Sequence, residues 1–316
     1  MDNLTHSLVG WALGETGLKR RTRKGLAACV LAANMPDIDV FFGWAPWEPL
    51  ATHRGFTHGL LGGVLLMPPL LAGLLWLLDR WEIGRGATFR SGLPMRFGWL
   101  VALSYLGALT HPLLDLQNTY AVQLWSLAST RWFHTDGLFI VSPWLLAILA
   151  AGIWMARRRG RGGPAIVAMA VAIGFIVLNI GISVLADRTL LRSPAQGAPD
   201  RVFASPQALA FWRRGMIWRH HGTISFASYD PLTSLTELAG TNESIPGRMD
   251  DPLVRQAATA TPEVRKFLAW SQLPMATIAR GRCAATVTFG DARFWRLPVS
   301  RSFLVPVRVP TGASGC

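Results

Sequence analysis

Six apolar runs, most of them long enough to cross a bilayer and separated by short clusters of arginine and lysine, constrain this chain more than any other feature. Backbone amides in lipid must be satisfied within their own segment, so such runs fold as helices. The runs cover residues 4–18, 25–42, 56–78, 97–116, 138–155 and 165–185. The first is about 22 Å long at ~1.5 Å per residue, marginal for a crossing. Residues 1–186 are therefore expected to form an α-helical multi-span membrane domain with about five membrane segments. Pro36 disfavours a helical Met35, so the second helix is expected to end near Asn34. Pro68 and Pro69 are expected to kink the third. From Asp187 onward Pro, Gly, Arg and Thr are frequent and no apolar run is long enough to cross. Residues 187–316 read as a small, mostly β, water-soluble domain, with strands at 218–228, 284–289 and 302–309 and a short helix at 263–270.

Composition agrees with this division. Only 16% of residues are charged, against about 25% in ordinary soluble domains, and the 14 tryptophans suit membrane interfaces. The net charge of +13 raises the question of nucleic acid. No recognition motif accompanies it, and much of the arginine of the first half sits in short loops between apolar runs, which argues against that partner. Cys29 lies in an apolar run. Cys283 and Cys316 have neither metal nor redox spacing, so no disulfide framework is expected. Asp2 precedes the first apolar run and basic residues follow it, the wrong order for a cleavable signal.

Loop charge orients the chain. The loops at 19–24, 79–96 and 157–161 hold five, four and four Lys or Arg, whereas 43–55 and 117–137 hold one each, Arg54 and Arg131. Short basic loops stay cytoplasmic, which puts the N-terminus and the C-terminal domain on the outer side. His6 then starts the first helix on that side, Asp37 and Asp39 follow the second, His53 and His58 precede the third, and His111 and Asp115 finish the fourth. Ionisable groups at membrane depth are expensive and mark function. Carboxylate oxygens and imidazole nitrogens together suit a divalent metal, zinc first, with manganese and iron as alternatives. His111 and Asp115 are spaced i,i+4, one helical face. Seven groups exceed one tetrahedral ion, so two or more ions are expected, with some of the seven supporting the ligands. His134 and Asp136 lie on the same side as candidate supporting partners. His220 and His221 read as solvent-facing, and Asp291 and Arg293 as a local ion pair.

Four motifs carry a resemblance: Leu4-Thr5-His6-Ser7-Leu8 with Gly10, Pro36-Asp37-Ile38-Asp39, His53-Arg54-Gly55-Phe56-Thr57-His58 and His111-Pro112-Leu113-Leu114-Asp115. Together they resemble the YdjM family of membrane-bound, metal-dependent hydrolases, known in some bacteria as LexA-regulated inner-membrane proteins. Phe211-Trp212 and Gly290-Asp291-Ala292-Arg293-Phe294 are similar to the longer members, whereas Gly59 departs from the serine usual there. The His-x-x-x-Asp pair is more distantly similar to the metal sites of zinc-dependent phospholipase C and related nucleases. The resemblance implies hydrolase activity, on a phosphoester by the second analogy.

The expectation is thus a hydrolase of the bacterial inner membrane, acting at its outer face on a phosphoester or lipid-like substrate. His6, Asp37, Asp39, His53, His58, His111 and Asp115 are the candidate ligands, and Arg54 the candidate catalytic group that holds an anionic substrate or offsets transition-state charge. Membrane lipid is the expected partner. The rival is a non-catalytic metal-binding membrane protein, a transporter or sensor.

Overall fold

A computed structural model of the chain describes residues 1–42, 54–193, 197–295 and 303–311. It divides into two units: Met1–Asp39, His53–Gly181 and Ala208–Phe211 form a helical unit, and Ile182–Gln207 with Trp212–Cys316 make up most of the second.

In the helical unit, α1 (Asn3–Glu15) starts where Asp2 accepts a hydrogen bond from the Thr5 backbone N–H at 3.0 Å, an N-cap that satisfies a donor the helix itself cannot. α2 (Gly25–Asn34) stops where Pro36 requires, and the chain tightens into a 3-10 segment, Met35–Phe42, that carries Asp37 and Asp39. A π-helical segment, Leu60–Leu66, leads into α3 (Met67–Gly84). Pro68 and Pro69 occupy the first turn of α3, and the departure from α-helix falls in the wider π turn ahead of them. Lacking N–H groups, they leave the carbonyls of Val64 and Leu65 without their usual donors, and the Tyr105 hydroxyl donates to Leu65 O at 3.1 Å. α4 (Phe97–Asp115), α5 (Pro143–Arg159) and α6 (Gly163–Leu191) complete the helices of this region.

Among the described residues, three helical stretches are long and apolar enough to cross a membrane: Leu60–Gly84, Phe97–Asp115 and Gly163–Leu191. The expected count of about five is not confirmed. α1, α2 and α5 have 13, 10 and 17 residues, short of the ~20 needed to span the hydrocarbon core. Leu70, Leu74 and Leu77 on α3 and Ile173 and Val177 on α6 face outward, the surface a bilayer would cover.

Two glycines set the spacing of the bundle. A Cβ on Gly10 of α1 would lie 2.6 Å from the Cys29 carbonyl oxygen of α2, and a Cβ on Gly107 of α4 would lie 2.5 Å from the same oxygen. Only hydrogen at these positions lets α1 and α4 both close on α2. His6 lies one turn before Gly10, and His111 one turn after Gly107, so both imidazoles emerge beside the tight contact.

The second unit holds a four-stranded antiparallel sheet, β1 (Arg201–Pro206), β2 (Arg214–His220), β3 (Thr223–Tyr229) and β4 (Ala239–Pro246), in sequence order. Two short helices follow, α7 (Pro252–Ala258) and α8 (Pro262–Trp270), and then a three-stranded antiparallel sheet, β5 (Pro274–Arg280), β6 (Ala284–Asp291) and β7 (Val305–Pro310). The strand expected over 218–228 is in fact the inner half of a hairpin. His221 and Gly222 both have positive φ, 47° and 76°, and His220 pairs with Thr223 across them, the two-residue turn whose twist matches paired strands. Asp291 and Arg293 do form an ion pair, and it is fully buried. Arg293 Nε and Nη2 donate to the Asp291 carboxylate at 2.9 and 2.8 Å, and Ser271 Oγ and the Gln272 N–H donate at 2.6 and 2.9 Å. Burial pushes the Asp291 carboxyl up, but the charge and hydrogen bonds of Arg293 outweigh it and hold the group below the usual carboxylate range. Cys283 is disulfide-bonded, against the expectation of no disulfide; spacing along the chain does not report which thiols meet in space.

Candidate metal centre

The N-terminal end of α1, the C-terminal end of α4, the 3-10 segment and the turn ahead of the π-helix converge on one buried cluster. His6, His58 and His111 are fully buried, and Asp115 and Asp37 nearly so. Two sets of donor atoms lie close enough to share an ion: His6, His111 and Asp115, and Asp37, His58 and His111. His111 belongs to both.

The rings are held in register. His6 and His111 stack with centroids 3.9 Å apart, and His58 meets His111 edge-on at 4.6 Å. His111 Nδ1 lies 2.7 Å from the Ala33 carbonyl oxygen of α2, so Nδ1 carries the hydrogen. Its Nε2 then presents a lone pair toward Asp37 Oδ1 and Asp115 Oδ2, each 3.5 Å away. His58 Nε2 faces the same two carboxylates, at 3.1 Å from Asp37 Oδ1 and 3.4 Å from Asp115 Oδ2. His6 Nε2 is 3.5 Å from Asp115 Oδ1.

Lone pairs directed at carboxylates repel unless a cation lies among them. Among the described residues, both ring nitrogens of His6, His111 Nε2 and Asp115 Oδ2 are buried and make no hydrogen bond, which is costly in a site with no ion. Four ligands about 2.0 Å from a tetrahedral zinc stand about 3.3 Å from one another. The nitrogen-to-carboxylate separations here, 3.1 to 3.5 Å, bracket that value. Nitrogen and oxygen donors in this geometry fit a divalent cation. Burial pushes the Asp37 carboxyl up, but the His111 and His58 rings that face it outweigh that and hold it well below the usual carboxylate range.

Other groups stand one step back. Asp39 joins neither set: it accepts a hydrogen bond from the Thr57 hydroxyl, and Thr57 Oγ1 lies 3.1 Å from His58 Nδ1. Thr57 and Asp39 thus orient His58, with Nε2 turned to the cluster. Arg54 is buried, with Nη2 3.6 Å from Asp115 Oδ1 and Nη1 donating to Asn118 Oδ1 at 2.8 Å. Its guanidinium also lies 5.2 Å over the Tyr120 ring. The Met1 amino group forms an ion pair with Asp115. His134 and Asp136 bond to one another at 2.8 Å and are in neither set among the described residues. His220 Nδ1 donates to the Ala198 carbonyl oxygen at 2.7 Å, in the second unit. His53 lies outside the described residues.

Thr57, Asn118 and the Ala33 carbonyl were not singled out from the sequence. Thr57 adjoins His58 and Asn118 lies one turn beyond Asp115, so neighbours of ligands in the chain carried the only signal. Gly59 sits in a tight place: a Cβ there would stand 3.2 Å from Ser126 Cβ and 3.3 Å from Gln123 O, the loop that closes over this turn.

No curated protein and no solved structure matches the chain. A family model described as YdjM inner membrane protein matches residues 1–185, a stretch that contains every candidate ligand and Arg54. With more than half of its length under that model, and with the model's region carrying the converged His and Asp cluster, the chain belongs to the YdjM inner membrane protein family.

Proposed function

We propose that this protein is a metal-dependent hydrolase of the bacterial inner membrane, acting on a phosphoester or lipid-like substrate at the outer face. The observation that carries the reading is the shared His111, with Nδ1 tied to a backbone carbonyl and Nε2 turned between two carboxylates. His6, Asp37, His58, His111 and Asp115 would hold one or two divalent ions, zinc first by donor type. A bound ion would lower the pKa of its water toward ~7 and polarise the scissile group. Asp39 and Thr57 hold His58 in its ligating orientation. Arg54, steadied by Asn118, offsets the carboxylate charge and attracts an anionic substrate toward it.

A lipid-like substrate is supported by an apolar cleft of about 610 Å³, lined in part by Leu60, Leu61, Leu65, Tyr105, Trp125 and Leu127, which begins two residues beyond His58. The outer orientation is supported by the basic loops and by the disulfide at Cys283, since disulfides persist on the oxidising side of the membrane.

One observation favours the second reading, a non-catalytic metal-binding protein used for transport or sensing. The ligands are almost wholly buried, as in sites that bind metal for structure. Both readings are tested on purified protein by metal analysis, hydrolysis of phosphodiesters and phospholipids, and metal flux in vesicles, with His111→Ala and Asp115→Ala alongside. Turnover lost in both variants supports the hydrolase. Bound metal with no turnover, or flux without hydrolysis, supports the rival. Metal-free protein removes both.

A further inference from the structure

A second feature of the helical unit lies at the opposite ends of its helices from the metal cluster. α5 and α6 are joined by a tight turn, and α5 approaches α6 so closely that a Cβ on Gly152 would lie 2.1 Å from Ala168 Cβ. Beside this contact runs a cleft of about 530 Å³. Ile148, Gly152, Met155 and Arg159 line it from α5, and Val167 and Val171 are among its α6 residues. The α5 residues are spaced four, three and four apart, a single helical face. The cleft is apolar along its length and meets Arg159 and Arg161 at the turn. Arg161 also lines a second, polar cavity of about 450 Å³ with Arg20, Arg157 and the Lys19–Glu15 ion pair.

The arginines of this turn are not equivalent. Arg157 lies 5.4 Å from the Trp11 ring and Arg158 lies 5.3 Å from the Trp154 ring. Arg20 donates to the Gly160 carbonyl at 2.8 Å, which satisfies part of the α5 C-terminus. Arg159 and Arg161 are exposed and have no ion-pair partner among the described residues. Two cations with no ion-pair partner among the described residues therefore stand at the end of an apolar cleft whose α6 wall belongs to a stretch long and apolar enough to cross a membrane. An anion with a long apolar tail satisfies both halves of the cleft.

We propose that this cleft binds an anionic glycerophospholipid, with its phosphate between Arg159 and Arg161 and an acyl chain along the α5–α6 groove. Basic pockets between membrane helices on the cytoplasmic side are suited to such headgroups, and each arginine near the surface contributes about a fivefold factor in affinity. The site is separate from the metal cluster and does not depend on hydrolase activity.

The test uses the full chain in neutral detergent, with native mass spectrometry after addition of phosphatidylglycerol or phosphatidylcholine. Phosphatidylglycerol is expected to be retained in preference. Arg159→Ala with Arg161→Ala should weaken it roughly 25-fold, fivefold per arginine. Arg157→Ala with Arg158→Ala removes the same charge from the same turn and should change it by less than about threefold, because those cations already lie over tryptophans. Val171→Trp fills the cleft without altering charge and should also abolish retention. Equal retention of the two lipids, equal loss in both arginine pairs, or full retention in Val171→Trp would each overturn the proposal. Release of the lipid by millimolar inorganic phosphate would overturn it as well, since the chain would then add nothing to the anion.

Discussion

Gly107→Ala tests whether helix packing, and not the ligands alone, creates the metal site. The new Cβ would lie 2.5 Å from the Cys29 carbonyl oxygen, where ordinary contact begins near 3.4 Å. The obstacle is backbone, so α2 and α4 must part by about 0.9 Å, and overpacking of this kind costs about 1–3 kcal/mol. The same displacement carries the Ala33 carbonyl, on α2, away from His111 Nδ1. A 2.7 Å bond becomes a separation of about 3.6 Å, which is no longer a hydrogen bond. His111 then loses the contact that fixes its tautomer, and loss of such a support weakens metal affinity about 10- to 100-fold. The assay is competition with a chelator of known affinity, paired with a thermal melt. Gly98→Ala is the control on the same helix, because a Cβ there meets nothing within 4 Å. If Gly107→Ala binds metal within twofold of the parent and melts with the Gly98 variant, the link from helix spacing to ligand geometry is refuted.

Five further outcomes are expected. His111→Ala, the residue common to both donor sets, should lose bound metal measured by mass spectrometry, whereas His134→Ala should keep it. Asp39→Asn leaves every atom of the two sets in place, so it should retain metal stoichiometry but weaken affinity about 10- to 100-fold. The folded Asp291 carboxyl lies below its ordinary value, so its contribution to stability is complete above about pH 4 and is lost as pH falls through the folded pKa; near-ultraviolet circular dichroism should show the second unit weakening in that window. Asp291→Asn strands Arg293 in the core and should cost about 3–5 kcal/mol in denaturant unfolding, with a flatter dependence on acid. Reporter fusions at the C-terminus should give the activity of an enzyme that works only outside the cytoplasm; activity of a cytoplasmic reporter would contradict the orientation drawn from the basic loops.

Much of the site was legible because ionisable residues are conspicuous in apolar surroundings. His6, Asp37, His58, His111 and Asp115 each interrupt or border an apolar run, and loop charge assigns them one membrane face before any contact is known. Helix ends were legible where covalent geometry decides them, as at Pro36. Lengths were less so: an apolar run counts as a span only while its hydrogen-bond ladder continues, and α2 ends after 10 residues. The His221-Gly222 turn was missed because a histidine with positive φ carries no signature in composition.

The amino-acid sequence by itself determined which groups are chemically able to bind a cation and that they emerge together from an apolar bundle, since both follow from residue type and from periodicity along one chain. Only the tertiary structure decided that His111 serves two sets of donors, that Asp39 supports His58 through Thr57, and that Gly10 and Gly107 close on a single carbonyl of α2. Those are separations of an ångström or less between segments far apart in the chain. They arise from which helix faces interlock, and no local pattern encodes that.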